Sequence, residues 1–351
     1  MNLRELCESV TPPDEAARER AKRRWDRIAK PLGSLGLLEA ALCDIAALTG
    51  SDVLELRPRA VIAFCADNGV TAQGVTQTDS AVTGVVAREL ARGRTSVCRM
   101  ARAADCRVIP VDMGIRDFPG VPGVLNRRIG DGTADFTRGA AMSREAAERA
   151  VLTGAELVRE ERGRGTRLLA AGEMGIGNTT TASAVTSVLL GLDPETVTGR
   201  GAGLSDDGLL RKIEAIRAGI ALNRPDPSDA LDVLSKVGGY DLAGMCGLYL
   251  GGALYGVPVL IDGFPGAAAA LCAARMCPAS AKAMLASHVS AEPAGKLLLH
   301  ALGKRPLITA EMRLGEGTGA LCAMALLDLA LAVYREAYTF EEGGIPAYAP
   351  Q

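Results

Sequence analysis

The chain has 351 residues, 48% of them hydrophobic and 23% charged, a composition typical of globular proteins that excludes an intrinsically disordered chain. The formal net charge of −2 and the pI of about 5.9 favour neither a nucleic acid nor a membrane as partner. Nine cysteines and two histidines lack the paired spacing of a zinc site, and the charged start, Met1–Arg24, is unlike a signal peptide. We therefore expect a cytoplasmic protein with reduced thiols and no metal.

Two helices are predicted first, a charged amphipathic one at Asp14–Lys30 and an apolar one at Ser34–Leu48. After them, short apolar runs typical of buried parallel strands alternate with helical patterns. The predicted strands are Ala60–Cys65, Arg107–Asp112, Arg167–Ala171 and Val257–Asp262, and the predicted helices are Ser80–Ala103, Ser143–Arg162, Thr180–Leu190 and Asp206–Asn223. This alternation predicts an α/β fold with a mostly parallel sheet flanked by helices.

Glycine pairs and an apolar stretch complete the pattern. Gly238-Gly239 and Gly251-Gly252 are predicted to bracket a closely packed helix, and Ala320–Val333 looks too short to span a bilayer. The first two helices and the last one lie outside the strand–helix alternation. We therefore expect a small helical domain from residues 1–55 and about 320–351, and a large α/β domain from 56–319.

The segment Gly172–Thr181 follows a predicted strand and leads into a helix. Glycines allow a ligand to approach the backbone, and the N–H groups at a helix start attract phosphate. A tight turn with a threonine cap is an equally good interpretation. The segment matches neither a Walker A loop nor a Gly-x-Gly-x-x-Gly dinucleotide turn.

A second glycine-rich segment, Gly199–Lys212, contains Ser205 and Asp206 as natural caps of the helix that follows. Lys212 lies about two turns into that helix. It could fold back toward an anion at the loop, but its position alone favours a solvated surface lysine.

The segment Met312–Ala320 places Glu316 between two glycines, just ahead of an apolar helix. A carboxylate there could simply interact favourably with the helix dipole. Alternatively, it could be presented to a pocket as a general base, a role that the scattered histidines do not suggest. A fourth segment, Lys30–Glu39, reads by itself as a turn between the first two helices.

Together these segments resemble the nicotinate-nucleotide:dimethylbenzimidazole phosphoribosyltransferases of cobalamin biosynthesis. The resemblance extends from about Arg24 to Tyr334. It is carried by runs at Lys30–Gly36, Gly172–Thr180, Gly199–Gly203, Ser287–Glu292 and Met312–Ala320.

The resemblance implies a Rossmann-like sheet domain and transfer of the phosphoribosyl group of nicotinate mononucleotide to a cobamide lower-ligand base, without a cofactor or metal. It implies a homodimer, with Glu316 as the base that deprotonates the acceptor. It places around the substrates Glu173, Gly175, Ile176, Gly177, Asn178, Thr179, Thr180, Gly201, Gly203, Lys212, Ser290, Leu314, Gly315, Gly317, Ser80 and Arg88.

The sequence departs from the family pattern near the expected base pocket. Asn68 replaces a usual histidine, Asp79 a usual proline, and Arg88 a frequent glutamine, while Phe264–Gly266 is also unusual. These departures leave open a phenol, p-cresol or purine acceptor, and with it a heterodimer with a paralogous chain. They equally allow neutral drift around a benzimidazole site. A non-catalytic nucleotide-binding partner subunit is the alternative from a different class.

Overall fold

A computed structural model describes residues 1–348. The sheet contains β1 (Arg59–Ala66), β2 (Arg107–Gly114), β3 (Leu125–Asn126), β4 (Leu168–Met174), β5 (Val259–Ile261) and β6 (Met284–Ala286). The helices are α1 (Leu3–Glu8), α2 (Glu15–Arg27), α3 (Leu37–Thr49), α4 (Ala81–Ala91), α5 (Ser96–Ala103), α6 (Arg144–Gly163), α7 (Asn178–Leu190), α8 (Pro194–Val197), α9 (Asp206–Asn223), α10 (Ala230–Val237), α11 (Tyr240–Tyr255), α12 (Gly263–Met276), α13 (Gly295–Ala301) and α14 (Thr318–Glu336). Short 3₁₀ helices lie at Gly69–Gln73 and Pro278–Ala283.

The six strands are ordered β3-β2-β1-β4-β5-β6, and all neighbouring pairs are parallel. The chain runs outward from β1 in one direction to β2 and β3, and in the other to β4, β5 and β6. In open sheets of this kind, ligands bind beyond the carboxyl ends of the strands, where the direction reverses. The predicted α/β fold with a mostly parallel sheet is confirmed.

Two apolar cores cover the two faces of the sheet, because successive side chains of a strand point to opposite faces. In β1, Ile62 and Phe64 join the core formed with α6, α11 and α12, whereas Val61 and Ala63 join the core formed with α3, α5 and α14. The close contact of α6 with α11 requires glycines. A Cβ on Gly154 or Gly247 would collide with the backbone of the facing helix.

Helices from both ends of the chain meet on one face of the sheet. Trp25 of α2 packs edge-on against Tyr334 of α14, with 5.1 Å between ring centroids, and α3 contacts both helices. The first helix, α1, does not join this group and packs instead on α6 and α11.

Two of the predicted helices were wrong in their extent. The Ser80–Ala103 pattern forms two helices, α4 and α5, which are separated at Gly93 with φ of 69°. The helix expected between the glycine pairs runs through Gly251-Gly252 and ends only at Gly256, in the left-handed conformation. Small residues inside α11 permit close packing rather than marking its end.

Helix α14 is longer than the apolar stretch seen in the sequence. With 19 residues it reaches the length and composition of a membrane-crossing helix, so the expectation that this stretch is too short was wrong. More than half of its most apolar window is nevertheless buried inside the structure, with Leu321, Met324 and Leu327 in the core. The buried side chains identify α14 as a core helix.

Candidate active site

A cavity of about 270 Å³ lies beyond the carboxyl ends of β4, β5 and β6. Its wall is made by the segments that follow these strands and by two loops from elsewhere in the chain. The lining comes from residues 75–78, 173–179, 200–202, 204, 263–265, 288, 290, 292 and 313–316. Three of the four glycine-rich segments found in the sequence therefore meet at one cavity.

The loop after β4 turns directly into α7, whose N-terminus faces the cavity. Gly177 is the residue before the helix and has φ of 92°, and a Cβ there would lie only 2.8 Å from Cγ2 of Thr71. The Ile176 N–H donates a hydrogen bond to Oγ1 of Thr83 at 3.1 Å, which fixes the loop against α4. No side chain among residues 1–348 caps the start of α7. The helix thus presents backbone donors and its positive end to the cavity, as an anion site requires.

Lys212 connects the two glycine loops from behind the cavity. Its ammonium donates hydrogen bonds to Oγ1 of Thr179 at 2.9 Å and to the Gly199 carbonyl at 3.0 Å. The side chain is only 1% exposed, so the interpretation as a solvated surface lysine was wrong. Burial lowers the pKa of Lys212 to about 8, and the nearby Glu292 carboxylate partly opposes this shift.

Glu316 lies in a turn of three consecutive residues with left-handed backbone, and its φ of 61° is unusual for a residue other than glycine. Its neighbours Gly315 and Gly317 have φ of 89° and 97°. The Val97 N–H, in the first turn of α5, donates to Oε2 of Glu316 at 3.1 Å. This hydrogen bond fixes one oxygen of the Glu316 carboxylate against the start of α5.

A second carboxylate, Glu173, lies beside the Glu316 turn at the end of β4. It accepts a hydrogen bond from the side-chain amide of Asn178, and a Cβ on Gly315 would collide with it. Burial raises the pKa of Glu173, and the charge of Glu316 adds to that shift. The two carboxylates thus have different environments, with Glu173 shifted toward its neutral form.

Many of the residues predicted from the sequence lie together in the cavity wall. They are Glu173, Gly175, Ile176, Gly177, Asn178, Thr179, Gly201, Ser290, Leu314, Gly315 and Glu316. Their roles toward substrates stay a prediction.

The remaining predicted residues lie outside the lining. Thr180 is buried in the first turn of α7, Gly203 accepts a hydrogen bond from the Gln77 side chain, and Gly317 is the residue before α14.

The two residues predicted to line the base pocket also lie outside the cavity wall. The Ser80 hydroxyl is hydrogen-bonded to Oγ1 of Thr71 at 3.1 Å. The Arg88 guanidinium stacks on the Phe118 ring, 5.0 Å from its centroid.

Sequence reasoning missed part of the wall. Phe264 and Pro265 could have been found, since they follow β5 at the carboxyl edge of a parallel sheet, where ligands bind. Arg200 and Glu292 also line the cavity and could have been found, since they lie in runs that carry the family resemblance, whereas nothing in the local sequence of Gln77 distinguishes it from an ordinary polar loop residue.

Comparison with known proteins gives the family. A phosphoribosyltransferase family model matches residues 10–345. The chain belongs to this family. The resemblance inferred from the glycine-rich runs is therefore confirmed, and the protein is a phosphoribosyltransferase.

Curated relatives and a solved structure agree along the full length. The nicotinate-nucleotide–dimethylbenzimidazole phosphoribosyltransferase of Ruminiclostridium cellulolyticum is 43% identical over 350 residues, which cover 100% of this chain and 99% of that protein. The enzyme of the same name from Escherichia coli strain UMN026 is 42% identical over 333 residues, covering 95% and 93%. The crystal structure of CobT from Thermus thermophilus matches with a TM-score of 0.89 and 42% identity, covering 95% of this chain and 100% of that one.

Proposed function

We propose that this phosphoribosyltransferase transfers the phosphoribosyl group of nicotinate mononucleotide to dimethylbenzimidazole, forming an α-riboside 5′-phosphate and nicotinate. The observation that carries the proposal is the cavity itself, which is lined on one side by the start of α7 and on the other by Glu316. The substrates are those in the names of relatives that match 95–100% of this chain.

The phosphate of the nucleotide is assigned to the loop Gly175–Thr180. There the backbone donors and the dipole of α7 favour a doubly charged anion, and Lys212 supplies a positive charge through its contact with Thr179. Phosphate binding anchors the substrate at a distance from the bonds that change and orients the ribose in the cavity.

The chemistry requires one proton acceptor. A ring nitrogen of the acceptor base attacks C1′ of the ribose, the bond from C1′ to the pyridinium nitrogen breaks, and its electron pair leaves with nicotinate. The N–H proton of the attacking base passes to the Glu316 carboxylate, which Val97 holds by one oxygen. General base catalysis of this kind contributes typically about 10²–10⁴-fold in rate.

The departures from the family pattern support a conventional acceptor. Asn68 lies beneath the nucleotide loop, with its side-chain amide near the Ile176 carbonyl, and Asp79 accepts a hydrogen bond from the Ala81 N–H. Neither residue lines the cavity, and Arg88 is held against Phe118. The unusual Phe264-Pro265 segment does line it, so a phenol, p-cresol or purine acceptor is tested directly below.

The test is an acceptor competition. The purified chain is incubated with nicotinate mononucleotide and equal amounts of dimethylbenzimidazole, adenine and phenol, and the riboside phosphates are separated by mass. We expect the dimethylbenzimidazole product to dominate. A dominant phenol or adenine product would replace the proposed acceptor, and the absence of every product would favour a non-catalytic partner subunit.

We also propose a cytoplasmic homodimer, in which α2 and α3 from residues 1–55 and α14 from residues 320–351 form a small domain, while α1 packs on the large one. The homodimer is what the resemblance to the family implies. Sedimentation of the purified chain at twice its monomer mass is the expected result, whereas a monomer would contradict it.

A further inference from the structure

Asp262 follows β5 at the same edge of the sheet as the cavity. It is the residue before α12, a position from which an aspartate usually caps its own helix, yet its side chain makes no such bond. The carboxylate instead reaches across to another helix. Oδ2 accepts the Gly317 N–H at 3.1 Å, and Oδ1 accepts the Ala320 N–H at 2.9 Å.

The two N–H groups bound by Asp262 belong to Gly317, the last residue of the Glu316 turn, and to Ala320, in the first turn of α14. Gly317 has no side chain to cap α14, so this external carboxylate satisfies the start of the helix. Glu316 itself has a left-handed backbone, which an L-residue keeps only when the surrounding structure holds it. The hydrogen bonds to Asp262 therefore hold the backbone next to Glu316, the residue with the strained conformation.

The surroundings of Asp262 give its charge few other partners. The side chain is 3% exposed, and Nδ1 of His288 lies 3.9 Å from Oδ1. Burial raises the pKa of Asp262 to about 7, while the N–H groups of α14 oppose that shift. The carboxylate is therefore paired chiefly with the start of α14. Because this contact is buried, it differs from a surface helix cap, which another polar residue could replace.

We propose that Asp262 is a positioning residue of the transfer reaction, which holds the Gly315–Gly317 turn and thereby the Glu316 carboxylate opposite the nucleotide loop. Asp262 is absent from the cavity wall, so it acts through Glu316 and touches neither substrate. This inference rests on the proposed function, in which Glu316 takes the proton.

The decisive variant is Asp262→Asn, which keeps the shape but replaces one acceptor oxygen with an N–H₂ group that faces a backbone donor. At pH 8 we expect kcat to fall 10- to 100-fold and KM for nicotinate mononucleotide to change less than twofold, because the phosphate loop is untouched. In a Glu316→Gln background the same change should lower kcat no further, since residues that act as one unit are not additive.

The matched control is Asp229→Asn. Asp229 also accepts two backbone N–H bonds at a helix start, from Leu231 and Asp232 at 3.1 Å each, but it lies at α10. We expect less than a twofold change in kcat. Two results would show that Asp262 is only a structural cap and would overturn the inference. One is an equal loss of kcat in the Asp229 variant. The other is an equal fall in kcat when Asp262→Asn is made in the wild-type chain and in the Glu316→Gln background.

Amide hydrogen exchange tests the inference without relying on turnover. We expect Asp262→Asn to speed exchange in residues 312–321 at least tenfold and to leave exchange in α10 unchanged. Unchanged exchange in residues 312–321 would overturn the inference. This outcome can be read even if the wild-type chain proves inactive on the proposed substrates. Should Asp262→Asn fail to fold, Asp262→Ser, which retains one acceptor, is measured in both assays against the same criteria.

Discussion

The segments Gly172–Thr181 and Met312–Ala320 have similar glycine-rich sequences but opposite electrostatic roles. In each, a glycine with left-handed backbone immediately precedes a helix, Gly177 with φ of 92° and Gly317 with φ of 97°. At α14 the helix start is already occupied by the carboxylate of Asp262. At α7 the helix start faces the cavity, and the Lys212 ammonium is hydrogen-bonded to Thr179 in its first turn.

The comparison shows how one local motif can serve two functions. A helix N-terminus attracts an anion wherever it lies. When the protein supplies that anion, the turn is held in place, and we propose that it then presents Glu316 as the base. When the protein leaves the position open, we propose that the turn binds a phosphate. The predictions below test this difference, from the largest expected effect to the smallest.

Glu316→Gln should lower kcat by about 10²–10⁴-fold, because the amide cannot accept the proton of the acceptor base. KM for nicotinate mononucleotide should stay within about threefold, since phosphate binding belongs to the other segment. Steady-state kinetics with dimethylbenzimidazole measures both constants. The control is Glu311→Gln, which removes an exposed charge from the same stretch of chain and should leave both constants unchanged. Full activity of the Glu316 variant would remove the general base from the mechanism.

Lys212→Met should raise KM for nicotinate mononucleotide about 10- to 100-fold, because a charge-assisted hydrogen bond contributes roughly 1.5–3 kcal/mol. Thermal stability should not fall, because methionine removes the cost of burying a charged ammonium. The same burial lowers the pKa of Lys212 to about 8. The exposed Lys282→Met serves as control. A variant with normal KM and a lower melting temperature would show that Lys212 stabilises the fold and plays no part in nucleotide binding.

Gly177→Ala and Gly317→Ala separate the two segments directly. Each forces a side chain into left-handed backbone and brings its Cβ within 2.8 Å of Thr71 or 2.6 Å of Val61, so each should destabilise its turn by about 1–3 kcal/mol. We expect Gly177→Ala to act chiefly on KM for the nucleotide and Gly317→Ala chiefly on kcat. Chemical denaturation provides the stability of each variant. If both variants change the same kinetic constant, the proposed division of roles is wrong.

Nucleotide affinity should depend on pH through Lys212. A bound phosphate favours the charged ammonium, so binding takes up protons near the free-state pKa of about 8. Affinity should be nearly constant between about pH 7 and 7.5, where the phosphate is doubly charged and Lys212 is mostly protonated, and fall by up to about tenfold per unit above 8, as Lys212 loses its proton. Titration calorimetry in two buffers of different ionisation enthalpy measures the uptake. The Lys212→Met variant should show no uptake; uptake that persists there would assign it to another group.

Arg88→Gln, which restores the residue frequent in the family, should have the smallest effect. The Arg88 guanidinium lies on the Phe118 ring and outside the cavity wall. Loss of a half-buried cation–π contact costs roughly 0.5–2 kcal/mol of stability. We expect the ratio of products in the acceptor competition to change less than about threefold. A larger change would place Arg88 in control of the acceptor.

Much of the fold could be predicted from the sequence, because local signals and tertiary structure agree. The apolar runs at Ala60–Cys65 and Arg107–Asp112 form the central strands, and the cap at Ser205 begins α9 as expected. The two-residue strand β3 was missed because so short a segment carries no periodicity. The break between α4 and α5 was missed because a single glycine is also tolerated inside helices.

The candidate site was predictable only in part. Glycine-rich runs identified the segments that meet at the cavity and placed Glu316 between two glycines, because turns with left-handed backbone require glycine. Burial is a property of the folded chain and cannot be predicted from a residue's neighbours in sequence. Lys212 lies two turns into a polar helix, and nothing there indicated that its side chain is only 1% exposed. The hydrogen bonds from α14 to Asp262 join residues at least 55 positions apart in the sequence. They form only because the sheet brings both segments to one edge. The sequence by itself thus determined the order of strands and helices and the chemistry available in the loops. Only the tertiary structure decided which helix start received a carboxylate from the protein and which one faces the cavity.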